Sequence, residues 1–180
     1  MEQVETNIIS GCKKGDRKAQ EQLYRSYYKA MVGLCLRYTK NEADAVEILN
    51  GAFLKVFMHI QRYDPAQGSL YTWIRTIVVR SCLDFIKLRS KAIPHKELDK
   101  ALDVQLDAEA VSKLEVAVLL QLIRQLPPAT QAVFNLYVME GYNHAEIGRL
   151  LDVSEGTSKW HLSEARKRLQ HMIRSQEVPI

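Results

Sequence analysis

Little in this 180-residue sequence supports a secreted, membrane-spanning or catalytic protein. Its three cysteines, Cys12, Cys35 and Cys82, stand far apart without a Cys-x-x-Cys pair. Neither a disulfide framework nor a thiolate metal site is encoded, and reduced thiols buried as small hydrophobes on helices are the simplest account. No apolar run approaches the ~20 residues needed to span a bilayer. The opening Met-Glu-Gln-Val-Glu lacks the basic and apolar regions of a signal peptide. The expectation is a soluble, cytoplasmic chain without membrane insertion. The five histidines (His59, His95, His144, His161, His171) form no metal-ligand spacing such as His-Glu-x-x-His. A Gly-x-Ser-x-Gly elbow and a Gly-rich phosphate loop are also missing, so the sequence predicts no enzyme, no metal and no cofactor.

What remains is apolar content at helical spacing. The hydrophobic fraction of 47% is ordinary for a packed protein. Alternating strand patterns do not stand out; three segments with the helical period do. Residues 17–39 carry Leu23, Tyr27, Met31 and Leu34 down one side. Residues 43–60 carry a near-unbroken series, Ala45, Ile48, Leu49, Ala52, Phe53, Val56, Phe57 and Ile60. A turn-rich break at Tyr63-Asp64-Pro65-Ala66-Gln67-Gly68 follows. The third helix begins near Ser69, runs to about Lys91 and turns Leu70, Trp73, Ile74, Ile77 and Phe85 inward. Residues 92–112 are acidic, contain Pro94 and lose the period, which marks them as a linker. Apolar density returns from Leu114 to Leu126, Pro127-Pro128 stops one helix and starts another, and Gly141 closes the latter. The predicted fold class is therefore all-α, two small helical domains (1–91 and 113–180) joined by a linker (92–112), the C-terminal one a helix-turn-helix. Charge divides unevenly between the halves. Residues 1–91 hold 15 Lys and Arg against 9 Asp and Glu, whereas residues 92–180 hold 10 against 12. A basic front half suits a polyanion, although a modest excess also describes a solvated face.

Residues 143–168 are the most informative stretch. Asn143 with Glu146 three residues later forms a capping-box pattern. Ile147, Leu150 and Leu151 share one face. Asp152-Val153-Ser154 breaks the period, and Ser154 is a suitable cap for a second helix. In that helix Leu162, Ala165, Leu169 and Met172 form an apolar stripe, with Lys159, Arg166, Lys167 and Arg168 mostly off it. A short helix, a turn and a longer helix with polar residues at its N-terminal end is the geometry that enters a DNA major groove. The same pattern also describes an ordinary helical hairpin.

The helix predicted over 69–91 carries Tyr71, Arg75, Arg80, Lys87, Arg89 and Lys91 against one acid, Asp84. Cations interleaved with aromatics after a loop suit phosphates and unpaired bases. Trp73 falls on the apolar stripe and reads as core; Tyr71 lies off it. Asp44 and Glu47 share a turn and read as surface or as a contact for a basic partner.

Taken in order, L-Y-R-S-Y-Y (23–28), D-A-V-E-I-L-N-G-A-F-L-K-V-F (44–57), G-S-L-Y-T-W-I-R-T-I (68–77), L-P-P-A-T-Q-A-V-F-N-L-Y (126–137) and E-G-T-S-K-W-H-L-S-E-A-R-K-R-L (155–169) resemble the bacterial sigma-70 type sigma factors, specifically the small extracytoplasmic-function group. The resemblance covers about residues 10 to 173. It implies a dissociable promoter-recognition subunit of RNA polymerase with no cofactor. The helix matching 44–57 would bind the clamp helices of the polymerase beta-prime subunit, through Asp44, Glu47, Asn50 and Phe53. The loop matching 61–69 would hold a flipped base of the −10 element and the following helix the opening duplex, with Tyr63, Asp64, Ser69, Tyr71, Arg75, Arg80 and Lys87 as contacts. The second module would pack on the beta flap and read the −35 element through Gly156, Thr157, Lys159, Trp160, Ser163 and Arg166. Core RNA polymerase and promoter DNA are the implied partners, with an anti-sigma or auxiliary recruiting factor as a further one.

The sequence departs from the family pattern at Val46-Glu47 and Asn50-Gly51, where an acid pair and Gln-Glu or Gln-Asp are usual. Arg80 replaces an Asn, Trp160 and His161 replace small-polar and Arg residues, and Glu164 stands where Arg or another polar contact is common. Promoter sequence therefore does not follow by analogy. Two other functions fit parts of the pattern. A helix-turn-helix regulator acting outside the polymerase needs neither the 44–57 helix nor the 68–89 segment. A protein-interaction adaptor leaves the basic helix unexplained.

Overall fold

The computed structural model describes residues 2–89 and 116–176, which fall into two compact units, Met1–Phe85 and Ile86–Ile180. Every regular element among the described residues is helical, as expected for an all-α chain. The predicted linker 92–112 and the apolar position Leu114 lie outside the described residues.

In the first unit, α1 (Glu2–Lys13), α2 (Arg17–Cys35), α3 (Glu42–His59) and the greater part of α4 (Leu70–Arg89) pack around one core. Each start has a local cause. The Asp16 carboxylate accepts the Lys18 amide at 2.8 Å, and Asn41 Oδ1 accepts the Asp44 amide at 2.8 Å. Leu23, Met31, Leu34, Ile48, Leu49, Phe53, Val56, Leu70 and Ile74 are buried and fill the space between helices. Across the polar edge of α3 and α4, Lys55 Nζ meets Asp84 Oδ2 at 3.0 Å and donates to Ser81 Oγ at 3.2 Å. Three expectations shift. Helix 17–39 ends at Cys35, followed by turns that bury Tyr38 and Thr39. Trp73, Ile77 and Phe85 are only half-buried, while Val78, Val79 and Cys82 supply that part of the core. Helix α1 was not foreseen, although Ile8 and Cys12 stand at helical spacing.

In the second unit, α5 (Val116–Gln125) stops at Leu126, and Pro128 opens α6 (Pro128–Phe134) as its first residue, where its missing N–H costs nothing. The chain then widens into a π turn over Asn135–Met139, and Gly141 takes a φ of 78° to leave it. Helices α7 (His144–Leu151) and α8 (Glu155–Gln176) complete the unit. Leu122, Ile123, Leu126, Ala132, Val133, Leu136, Ile147, Leu151, Leu162, Ala165 and Leu169 are buried, with Ile173 ending the α8 stripe where Met172 was expected. All three cysteines are free and buried, and burial followed by the nearby Asp16 charge pushes the Cys12 thiol up. No helix among the described residues is long and apolar enough to cross a membrane.

Candidate nucleic-acid interface

The turn between α7 and α8 is set by two residues. Asp152 sits at φ 59° and ψ 49°, the left-handed conformation that ends many helices. Gly148 donates no side chain where a Cβ would lie 2.8 Å from the Val153 carbonyl oxygen, and its own carbonyl accepts the Val153 amide at 3.0 Å. The two backbones can approach this closely only because position 148 is glycine. On either side the caps are as the sequence predicted. Asn143 and Glu146 exchange side-chain-to-amide bonds in a full capping box, and Ser154 Oγ accepts the Thr157 amide at 3.0 Å. His144 links the two helices: its ring stacks on Tyr137 at 4.6 Å, and Nδ1 lies 2.9 Å from Ser158 Oγ. Burial, then the Lys159 charge, hold its imidazole below the ordinary range against the opposing pull of Glu155.

Along α8 the expected contact residues separate. Lys159 is exposed and paired with Glu155, Nζ to Oε1 at 2.7 Å. Gly156, Trp160 and Arg166 are half-buried, Trp160 with its ring edge-on to His161 at 4.9 Å. Thr157 and Ser163 do not present themselves; both are buried, Thr157 with its hydroxyl 2.8 Å from Ser154 Oγ. The inward stripe of α8 begins with polar residues, Thr157, Ser158 and His161, one turn before Leu162. A reading that starts the stripe at the first large apolar residue therefore turns Thr157 the wrong way. His161 is part of this polar core: Nδ1 lies 3.1 Å from Thr130 Oγ1, while Nε2 has no partner among the described residues. Glu164 holds Arg168 Nε at 2.6 Å.

In the first unit the loop before α4 is tied internally. Tyr63, expected as a DNA contact, is buried: its hydroxyl donates to the Gly68 carbonyl at 3.1 Å and its ring packs 5.5 Å from Trp73. It therefore shapes the loop and does not offer its face to a base. Asp64 is exposed, but its carboxylate is engaged by the Ala66 amide at 3.0 Å and Gln67 Nε2 at 3.2 Å. Ser69 caps α4 by accepting the Thr72 amide at 3.2 Å. Tyr71 is 45% exposed, Arg75 is half-buried one turn on, and Arg80 and Lys87 are exposed two turns apart. Tyr71 and Arg75 share one face at the start of α4, whereas Arg80 and Lys87 lie on the opposite face, Lys87 Nζ donating to the Leu150 carbonyl at 2.9 Å.

On α3 the expected contacts also divide. Glu47 and Asn50 are exposed, Asn50 Oδ1 accepting from the Tyr24 hydroxyl at 2.8 Å. Asp44 is half-buried and takes Asn41 Nδ2 at 3.0 Å as part of the helix cap. Phe53 is 1% exposed and stands edge-on to Tyr24 at 4.9 Å, so it is core and not a surface contact. The apolar residues that α3 does expose are Leu54 (62%) and Met58 (67%), in line with Glu47 and Gly51. The sequence signal for them was there: they fall off the core series at i and i+4. Among the described residues no cluster of three His, Cys, Asp or Glu side chains is placed to hold a metal.

Comparison with known proteins gives this geometry its setting. Residues 23–92 match the family described as Sigma-70 region 2, and residues 117–169 that described as Sigma-70, region 4. The ECF RNA polymerase sigma factor SigM of Mycobacterium tuberculosis is 31% identical over 175 residues, covering 96% of this chain and 86% of its own. The ECF RNA polymerase sigma factor SigW of Bacillus subtilis is 26% identical, over 97% of this chain and 99% of its own. The sigma factor RpoE of Bartonella quintana, solved in complex with the anti-sigma factor NepR, shares the fold with a TM-score of 0.51 at 14% identity, over 86% of this chain and 96% of that one. With both regions present in order and a relative of that identity spanning the chain, this protein belongs to the extracytoplasmic-function group of the sigma-70 family.

Proposed function

We propose that this chain is a dissociable promoter-recognition subunit of bacterial RNA polymerase, acting in the cytoplasm by binding and not by catalysis. The observation that carries this reading is the joint presence of a region 2 unit and a region 4 unit in one chain. A helix-turn-helix regulator that works outside the polymerase has no use for the first. Residues 1–91 serve as the core-binding and −10 module, 92–112 as the linker and 113–180 as the −35 module. The outer face of α3, with Glu47, Asn50, Leu54 and Met58, is the surface offered to the beta-prime clamp helices; exposed apolar groups beside an acid suit a partner that buries them. The loop 61–69 and helix α4, with Tyr71 and Arg75 on one face and Arg80 and Lys87 on the other, receive the −10 element as it opens. Binding an unpaired base there offsets an unstacking cost of a few kcal/mol, roughly, so opening needs no nucleotide hydrolysis. The N-terminal half of α8 enters the −35 major groove, and the second unit packs on the beta flap. An anti-sigma factor, as seen with the related RpoE, is the partner expected to hold the chain inactive.

Size-exclusion chromatography of the chain with core polymerase tests this directly. The wild type should co-elute one to one. Glu47→Lys should weaken assembly about tenfold or more, roughly 1–3 kcal/mol, by placing like charge against a basic partner. Failure of the wild type to co-elute rejects the reading, and unchanged affinity in Glu47→Lys removes that residue from the interface.

A further inference from the structure

Helix α8 carries two acids, Glu155 and Glu164, and both are spent on cations of the same helix. Glu155 Oε1 lies 2.7 Å from Lys159 Nζ, and Glu164 Oε1 lies 2.6 Å from Arg168 Nε. Each glutamate precedes its cation by four residues, the favourable order for such a pair on a helix. The consequence is greatest at the N-terminal end. Its first two turns, residues 155–162, contain one acid, one cation and a buried histidine, so the part of the helix that must enter the groove brings no net charge. The remaining cations of the helix, Arg166, Lys167 and Arg174, lie further along.

Both side chains of the first pair are 53% exposed, so water screens it and it opens easily. A DNA phosphate then competes with a carboxylate for the same ammonium. The local field supports the same picture: Lys159 and Glu155 act on His144 in opposite senses, with Lys159 the stronger. We infer that Glu155 is a built-in competitor for Lys159, holding the affinity of the recognition helix for −35 DNA low until the pair is broken. This deepens the promoter-recognition reading and rests on it. An upstream contact weakened in this way leans more heavily on prior engagement of the −10 module, because the linker then supplies the effective concentration that the contact itself lacks.

The experiment uses holoenzyme reconstituted from core polymerase and the full chain, with duplexes that the wild-type holoenzyme selects from a randomised pool. Footprinting first establishes upstream protection, and affinity is then measured across a salt series. Glu155→Gln keeps the side-chain shape and should raise affinity roughly two- to fivefold, the scale of an exposed pair. It should also steepen the dependence of log affinity on log salt by about one, the signature of one more phosphate neutralised. In a Lys159→Ala background the same change should do nothing. A wild-type holoenzyme that never protects upstream DNA sinks both the −35 reading and this inference. Upstream protection with unchanged or weaker binding in Glu155→Gln overturns the inference alone, since Glu155 is then a base reader or a bystander. A gain that persists undiminished in the Lys159→Ala background overturns it too, because Glu155 then repels DNA directly.

Discussion

Adding one methyl group at position 148 should cost more than anything its helix propensity returns. Inside an ordinary helix, Gly→Ala gains about 1 kcal/mol. Here the new Cβ would lie 2.8 Å from the Val153 carbonyl oxygen and 3.7 Å from the Glu155 amide nitrogen. Both are backbone atoms, which cannot rotate away. Forcing the turn outward has the scale of an overpacked core, about 1–3 kcal/mol, and strains the Val153-to-Gly148 hydrogen bond of 3.0 Å, worth about another 1 kcal/mol. The net expectation for Gly148→Ala is a loss of about 1–3 kcal/mol in the second unit. Position 152 should respond with the opposite sign. Asp152 is the one non-glycine with positive φ among the described residues, so Asp152→Gly should gain up to about 1 kcal/mol after the entropy of the freer unfolded chain is deducted. Urea unfolding followed by tryptophan fluorescence can resolve both. The chain has two tryptophans, Trp73 in the first unit and Trp160 in the second, so a Trp73→Phe background reports the second unit alone and avoids averaging two transitions. A Gly148→Ala midpoint equal to or above that of the parent would show that the turn has slack, and the steric account of the glycine would fail.

Three further outcomes follow from the placement of side chains. Arg80 is exposed on α4, so Arg80→Ala in holoenzyme should lower affinity about uniformly across promoter sequences and reduce the salt slope by roughly one; an effect confined to a single base pair would make it a sequence reader. On α3, Phe53→Ala should destabilise the first unit by about 3–5 kcal/mol, whereas Leu54→Ser and Met58→Ser should leave its unfolding midpoint within about 0.5 kcal/mol and weaken binding to core polymerase, the reverse pattern refuting the assigned faces. In the second unit burial holds His161 and His144 below the ordinary histidine value of 6.5, so the unfolded chain binds protons first: stability is full above that value and declines as pH falls from it toward the lower folded values, by at most about 1.4 kcal/mol per pH unit for each histidine. Urea midpoints at pH 7.5 and 5.5 should show this loss, and His161→Gln should reduce it; an unchanged slope would remove His161 as its source.

The parts of the structure legible in the sequence are those governed by neighbours along the chain. Asn143 with Glu146, Ser154 before Thr157, Pro128 after Leu126 and Gly141 after the π turn are all local chemistry, and each appears where its residue types require. What the sequence misplaced depends on packing between helices. Phe53 lies on an almost continuous apolar series, and only its edge-on contact with Tyr24 decides that it faces in, while Leu54 and Met58 face out. Thr157, Ser158 and His161 are polar yet inward, because Thr130 and His144 on neighbouring helices receive two of them. Tyr63 was read as an aromatic free to meet a base, but Gly68 and Trp73 hold it. Gly148 gave no signal along the chain, since its reason is a carbonyl five residues away across a turn.

These corrections change how the two DNA-facing surfaces divide the work. With Tyr63 and Asp64 occupied in holding the loop, the first unit offers one exposed aromatic, Tyr71, with Arg75 one turn on and Arg80 exposed further along, while Lys55 takes up the one acid on that helix, Asp84. On the proposed reading, positive charge beside a stacking surface suits a single strand of any sequence. The second unit is built the other way. In the first turns of α8 Glu155 pairs with Lys159, and the expected contacts left at least partly exposed are Gly156, Lys159, Trp160 and Arg166, which on the proposed reading favours shape and base-edge contact over attraction. On that reading we expect affinity to come chiefly from the −10 side and discrimination from the −35 side. Raising salt should weaken the assembly chiefly through the −10 side, and the upstream contact should be lost no later than −10 opening; upstream protection that outlasts −10 opening as salt increases would contradict this division.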